Sequence, residues 1–311
     1  MSSITRFTYR DPSVGDLIIR TSDGVDFHVH QRRLADVSPV FSDMFSLPQP
    51  TSGKERADEK PVIGVSEGSV LWSKLLPILY VAEEPDLSLE DIRDLLEAGR
   101  KYDMPGIRSR MKTHLLQAAF LERRPYSVYA LACGAGFEDV KLAAARSTLR
   151  MSEPEPGAQD FLPAESGRAM YKLLEYRTSA CLKAVNAVKP YGRFMSCYSI
   201  TSRLTGRAIA VLERMQSCNN SSCSPSVVMP GYEPREPSIR AAWLGYMKSL
   251  QKSVQHNPNG APARDISLLR PVIESALNCP LCSKAIFEEA DEVSREFELT
   301  IEQAVSSTNL L

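Results

Sequence analysis

The stretch Asp16-Leu17-Ile18-Ile19-Arg20-Thr21-Ser22-Asp23-Gly24-Val25-Asp26-Phe27-His28-Val29-His30 places two strand signals around one turn signal. Leu17, Ile18 and Ile19 form a β-rich run, and Ser22-Asp23-Gly24 is turn chemistry. Val25, Phe27 and Val29 then alternate with Asp26, His28 and His30, the period of two expected of a half-buried strand. The local reading is a hairpin. Such a hairpin is marginal alone and requires further elements on its apolar face.

Those elements follow directly. A turn over 32–35 packs through Leu34. Ser38 and Pro39 open a helix as N-cap and first helical residue. Val40, Phe41, Met44 and Phe45 make its apolar face. Residues 48–61 are polar and proline-rich and read as an exposed loop, and Val62 to Val65 as a short returning strand. A helix is expected over 71–80 despite Pro77. Ser88 and Asp91 predict a capping box, ahead of Ile92, Leu95, Leu96 and Gly99 on one face. Ile107, Met111, Leu115 and Ala118 predict the next core stripe, and two alanine-rich helices are expected between 126 and 150.

This order of strands and helices, with its residues, resembles the BTB/POZ domain. The resemblance rests on Asp16 before an apolar strand, a strand from Phe27 to a closing His30, then Leu34, Ser38, Phe41, Met44 and Phe45. It continues with Leu79-Tyr80 at a helix end and a leucine-rich helix closing in Lys101-Tyr102-Asp103-Met104. The whole chain is also similar to the BTB proteins abundant in mushroom-forming fungi, through Leu174-Glu175-Tyr176, Cys181 and the Cys-Pro-x-Cys at 279–282. The resemblance implies an α+β fold. A BTB/POZ domain with a helical extension is expected over 10–150, a linker over 151–167 and a mostly α-helical C-terminal domain over 168–311.

Within that C-terminal domain no convincing strand is evident. Leu173, Ala180, Ala184 and Val188 share one helical face, and Leu204, Ala208, Val211, Leu212 and Met215 another. Residues 218–237 read as a long loop. Ile239, Trp243, Tyr246, Met247, Leu250 and Val254 form an amphipathic helix, and Ile286, Val293, Phe297 and Ile301 line the last one.

Composition excludes several functions. Thirty-seven basic residues against 38 acidic ones give a net charge of -1, which argues against a nucleic-acid surface over the whole chain. No apolar run approaches the roughly 20 residues that span a bilayer, so no membrane helix is expected. The start of the chain does not read as a signal peptide, and an odd count of seven cysteines fits free thiols, so an intracellular location, nucleus or cytoplasm, is expected. There is no phosphate loop, nucleophile elbow or HExxH.

The remaining chemistry is structural in kind. Asp16 reads as an acceptor for nearby backbone, and His30 as a local hydrogen-bonding group where strand gives way to helix. Free or buried thiols are the first reading of Cys218, Cys223, Cys279 and Cys282; together they also supply the four thiolates a structural Zn²⁺ takes, which is the second reading, and a redox role is the third.

The expected function is protein–protein interaction without catalysis. The BTB resemblance implies homodimerisation through the N-terminal strand and first helices, and the exposed members of Val14, Leu17, Phe41 and Met44 are its contact candidates. All four being core residues of a monomer is the alternative. Two other readings are a substrate adaptor of a cullin-type ubiquitin ligase and a transcription regulator with a zinc-stabilised C-terminal region. Phe45-Ser46-Leu47 lacks the acidic residue that cullin-binding relatives carry there, which lowers the first.

Overall fold

In the computed structural model, residues 9–47, 60–82, 85–163, 167–188, 226–227, 239–277, 279–280, 282–284 and 286–310 are described. The chain divides into two compact units, one of residues 1–141 with 157–163 and one of 142–156 with 164–311. The first combines a small sheet with helices. The second is mostly helical, so the α+β expectation holds.

In the first unit, β1 (Leu17–Arg20) lies centrally between β2 (Asp26–Val29) and β3 (Val62–Gly64). β2 runs antiparallel to β1 and β3 runs parallel to it. The register pairs Leu17 with Val29 and Ile19 with Phe27, so the four buried side chains share one face. On the other face Arg20 and Asp26 form an ion pair at 2.7 Å. Gly15 enters the sheet at φ +69°, where a Cβ would overlap the Val29 carbonyl, so only glycine fits.

Helices α1 (Gln31–Val37), α2 (Pro39–Ser46), α3 (Ser69–Leu79), α4 (Leu89–Lys101) and α5 (Pro105–Leu115) follow. α3 keeps Pro77 inside it at the cost of one backbone hydrogen bond and a ring clash, about 3 kcal/mol. Burial of Trp72, Leu75, Leu76, Ile78 and Leu79, at about 1.5–3 kcal/mol each, outweighs that cost. The capping box on α4 forms with both of its reciprocal bonds. α6 (Ala118–Arg123) and α7 (Pro125–Ala135) complete the helices of the first unit, and α8 (Glu138–Thr148) spans the division at 141/142.

Three readings need correction here. Ala118 begins α6 and is exposed, because the helix carrying Ile107, Met111 and Leu115 has already ended. Val40 is also exposed, leaving Phe41 as the buried anchor of α2. The acidic stretch read as a linker holds a 3₁₀ turn, Ala158–Phe161, with Ala158 and Phe161 buried against α7. Residues 48–59 of the expected loop lie outside the described residues.

In the second unit α9 (Gly167–Val188) packs against α10 (Ala241–His256) and α12 (Ile286–Ser306), and α11 (Ile266–Leu277) lies between the latter two in sequence. The predicted stripes of α9 and α12 are buried, as are Trp243, Tyr246, Met247, Leu250 and Val254 of α10. Trp243 meets Tyr246 edge-on at 5.5 Å, and Tyr246 meets Phe297 at 5.9 Å. Gly260 sits where a Cβ would crowd the Glu298 carbonyl, which lets its N–H reach Glu302 at 2.7 Å. The sequence offers no convincing strand in this unit, but a short ribbon forms, β4 (Ser226–Val227) pairing antiparallel with β5 (Ile239–Arg240). Ile239 therefore precedes the helix instead of opening it. The stripe from Leu204 to Met215 lies outside the described residues.

Candidate interaction site

The signature residues of the first unit converge on three junctions between sheet and helices. At the first, α1 begins at His30 without a side-chain cap of its own. Asp16 supplies the missing acceptor from the strand, taking the Gln31 N–H at 2.7 Å. Leu34 then fills the core beneath.

At the second, the His30 N–H donates to the Tyr80 hydroxyl at 2.8 Å, and His30 Nδ1 lies 3.1 Å from the same oxygen. Tyr80 caps the end of α3, so this bond ties the sheet exit to a helix 50 residues later. Burial raises the Tyr80 pKa, and the Arg33 guanidinium lies 5.8 Å over its ring. His30 is thus held at the strand exit by its contact with Tyr80.

The third junction is the most buried. Ser38 Oγ accepts the Phe41 N–H at 3.1 Å and donates to the Tyr102 carbonyl at 2.5 Å. Phe41 stacks on Tyr102 at 4.8 Å and on Phe45 at 5.9 Å, and meets Trp72 edge-on at 6.3 Å. The Tyr102 hydroxyl donates to Glu67 at 2.6 Å, and Lys101 donates to the same carboxylate at 2.6 Å. Burial, then the bond to Glu67, raises the Tyr102 pKa. Burial alone would raise Glu67 as well, but the bonds from Lys101 and Tyr102 outweigh it and hold the carboxyl below its ordinary value. Met104 is buried where α4 gives way to α5.

The four contact candidates separate. Leu17 and Phe41 are buried within the chain itself, in the sheet face and the aromatic cluster, and are withdrawn from any contact surface. Val14 and Met44 are half-buried. Of the cysteines, Cys279 is buried and Cys282 half-buried after α11, whereas Cys218 and Cys223 lie outside the described residues. No group of three or more metal-ligating side chains occurs among the described residues. Burial raises the thiol pKa of Cys133 and Cys181, the opposite of what a reactive thiolate needs.

Two clefts flank α4. One of about 650 Å³ is lined by Glu67, Leu71, Asp94 and Lys101. The other, of about 290 Å³, is lined by Arg93, Arg108, Phe161 and Pro163. Glu97 and Arg100 border both. Phe161 itself is held between the Arg93 and Arg124 guanidinium groups, at 5.8 and 5.1 Å. Sequence reasoning missed this returning turn. Its signal was a lone aromatic in an acidic, proline-containing stretch.

Residues 8–119 match the family model of the BTB/POZ domain. This segment is a BTB/POZ domain. It is a protein–protein interaction module, and it spans the sheet, the three junctions and the helices through α5. No curated protein matches the chain significantly. Among the described residues no helix is long and apolar enough to cross a membrane.

Proposed function

We propose that the protein is a homodimerising scaffold or adaptor without catalytic activity, associating through its BTB/POZ domain. The match of residues 8–119 carries this reading. The occupation of its polar signature residues supports it. Asp16, His30, Ser38 and Tyr102 are engaged in internal bonds that define where helices start and end. Val14 and Met44, apolar and half-buried, are the remaining contact candidates. Two copies would present two helical units and bind multivalent partners with avidity.

Native mass spectrometry of the full chain tests this, and a dimer is expected. Combined Val14→Glu and Met44→Glu substitutions are expected to give a folded monomer, because a buried unpaired carboxylate in a dimer contact is costly. A wild-type monomer at micromolar concentration would sink the proposal. The same spectrum reads metal: one zinc per chain supports a site built from Cys218, Cys223, Cys279 and Cys282, and a metal-free chain removes it.

A further inference from the structure

α9 is apolar on two opposite sides. Leu173, Tyr176, Ala180, Ala184 and Ala187 recur at i, i+3, i+7, i+11 and i+14, and all five are buried. Tyr171, Leu174, Leu182 and the half-buried Val185, with the polar Thr178 between them, repeat the same spacing two positions earlier, about 200° round the helix. Tyr171 is 61% exposed, Leu174 61% and Leu182 60%. This outer stripe is about 21 Å long, the footprint of a helix of similar length. Isolated exposed leucines need no explanation, but a periodic row along one helix does.

We propose that the outer face of α9 docks an amphipathic helix of a partner protein, one whose apolar stripe is flanked by carboxylates. The rim of the face sets that sign. Arg168, Lys172 and Lys183 run along one flank with Glu175 as the single carboxylate. Lys183 already donates to the Ser307 carbonyl at 2.8 Å, while Arg168 and Lys172 have no ion-pair partner among the described residues. An acidic flank supplies that partner and fixes the register of docking.

Charge also argues against the two nearest occupants. A second copy of α9 would bring the same cations to the same rim. Residues 189–225, which follow α9, carry Lys189, Arg193, Arg203, Arg207 and Arg214 against Glu213. Either occupant is predominantly basic and so a poorer match to Arg168 and Lys172 than an acidic flank. The proposal rests on the second unit alone and goes beyond self-association of the BTB/POZ domain.

The test uses the full chain and two labelled helical peptides, followed by fluorescence anisotropy. Both carry leucine at i, i+3, i+7 and i+11; one has glutamate on its flanks and the other lysine. The glutamate peptide is expected to bind at least about tenfold more tightly, with an advantage that shrinks as salt is added. Paired Leu174→Asp and Leu182→Asp substitutions, at exposed positions, remove the binding. Paired Arg168→Glu and Lys172→Glu substitutions reverse the preference toward the lysine peptide. Val14→Glu with Met44→Glu leaves both affinities unchanged, which separates this site from self-association. No binding, equal binding of the two peptides, or indifference to Leu174→Asp overturns the proposal. So does a photo-crosslinker at position 174 that captures residues 189–225 or a second copy in the unliganded chain.

Discussion

In the BTB/POZ unit each of the first four helices begins on a named side-chain acceptor. Asp16 takes the Gln31 N–H, Ser38 that of Phe41, Asp23 that of Ser69 and Ser88 that of Asp91. In the helical unit Asp265 likewise takes the Ser267 N–H at the start of α11 and Glu302 that of Gly260, but the long-range ties are mostly side-chain donors to backbone carbonyls. Arg177 donates to the Thr148 and Met151 carbonyls, Tyr246 to that of Ala263 and Asn259 to that of Leu149. The difference is one of information. A helix start held by Ser or Asp needs that residue at that place, whereas every residue offers a carbonyl. The first kind of contact leaves a motif and the second leaves almost nothing to read.

Each unit contains one of the two tryptophans, Trp72 and Trp243, both buried. Single-tryptophan backgrounds, Trp243→Phe or Trp72→Phe, therefore report one unit at a time in denaturant unfolding. The largest expected effect is Phe41→Ala, which empties the centre of the Trp72–Tyr102 cluster. It is expected to cost about 3–5 kcal/mol in the Trp72 signal. Phe297→Ala is expected to cost a similar amount in the Trp243 signal, since Phe297 is buried against Tyr246. If either substitution shifts both signals equally, the units unfold together and the comparison between them fails.

Ser38→Ala comes next. It removes the N-cap of α2 and the donor to the Tyr102 carbonyl together, and about 2 kcal/mol of stability should go with them. Tyr246→Phe is the matched change in the helical unit. It deletes a single bond to the buried Ala263, so about 1 kcal/mol is expected in the Trp243 signal. Equal losses would mean that caps and carbonyl contacts matter alike, and that the contrast concerns legibility alone.

That contrast explains what the sequence disclosed. The hairpin and its half-buried second strand follow from the alternation of Phe27 and Val29, and the α2 start from Ser38-Pro39, because each depends on residue type at a fixed spacing. The partnership of His30 with Tyr80 did not, since a backbone N–H and a phenol 50 residues apart leave no joint pattern. Leu17 and Phe41 show the same limit for surfaces. An apolar residue looks identical in sequence whether a sheet face or a partner covers it, and only the chain's own packing decided both. The turn at 157–163 stayed hidden because one phenylalanine has no periodicity. The stripes of α9, α10 and α12 were readable as helices, but their mutual packing was not, as any apolar stripe matches any other.

The smallest effect is electrostatic and has a definite sign. Glu67 is held below its ordinary carboxylate value of 4.5 in the folded chain, and its side chain retains 18% exposure. A depressed folded-state pKa contributes stability that is present above the unfolded value and is lost as pH falls through the folded one. The BTB/POZ unit should therefore weaken as pH drops below about 4.5, as Glu67 takes up a proton and its bonds from Lys101 and Tyr102 lose their charge assistance. Asp23, drawn down to about 2 by the Ser69 and then the Thr21 hydroxyl, adds its own loss at still lower pH, so the slope alone does not isolate Glu67. Glu67→Gln does isolate it. Its Trp72-monitored midpoint should lie below the parent at neutral pH and converge with it as the solution is acidified. Two parallel curves would show that Tyr102 and Lys101 hold this junction by packing, without help from the carboxylate charge.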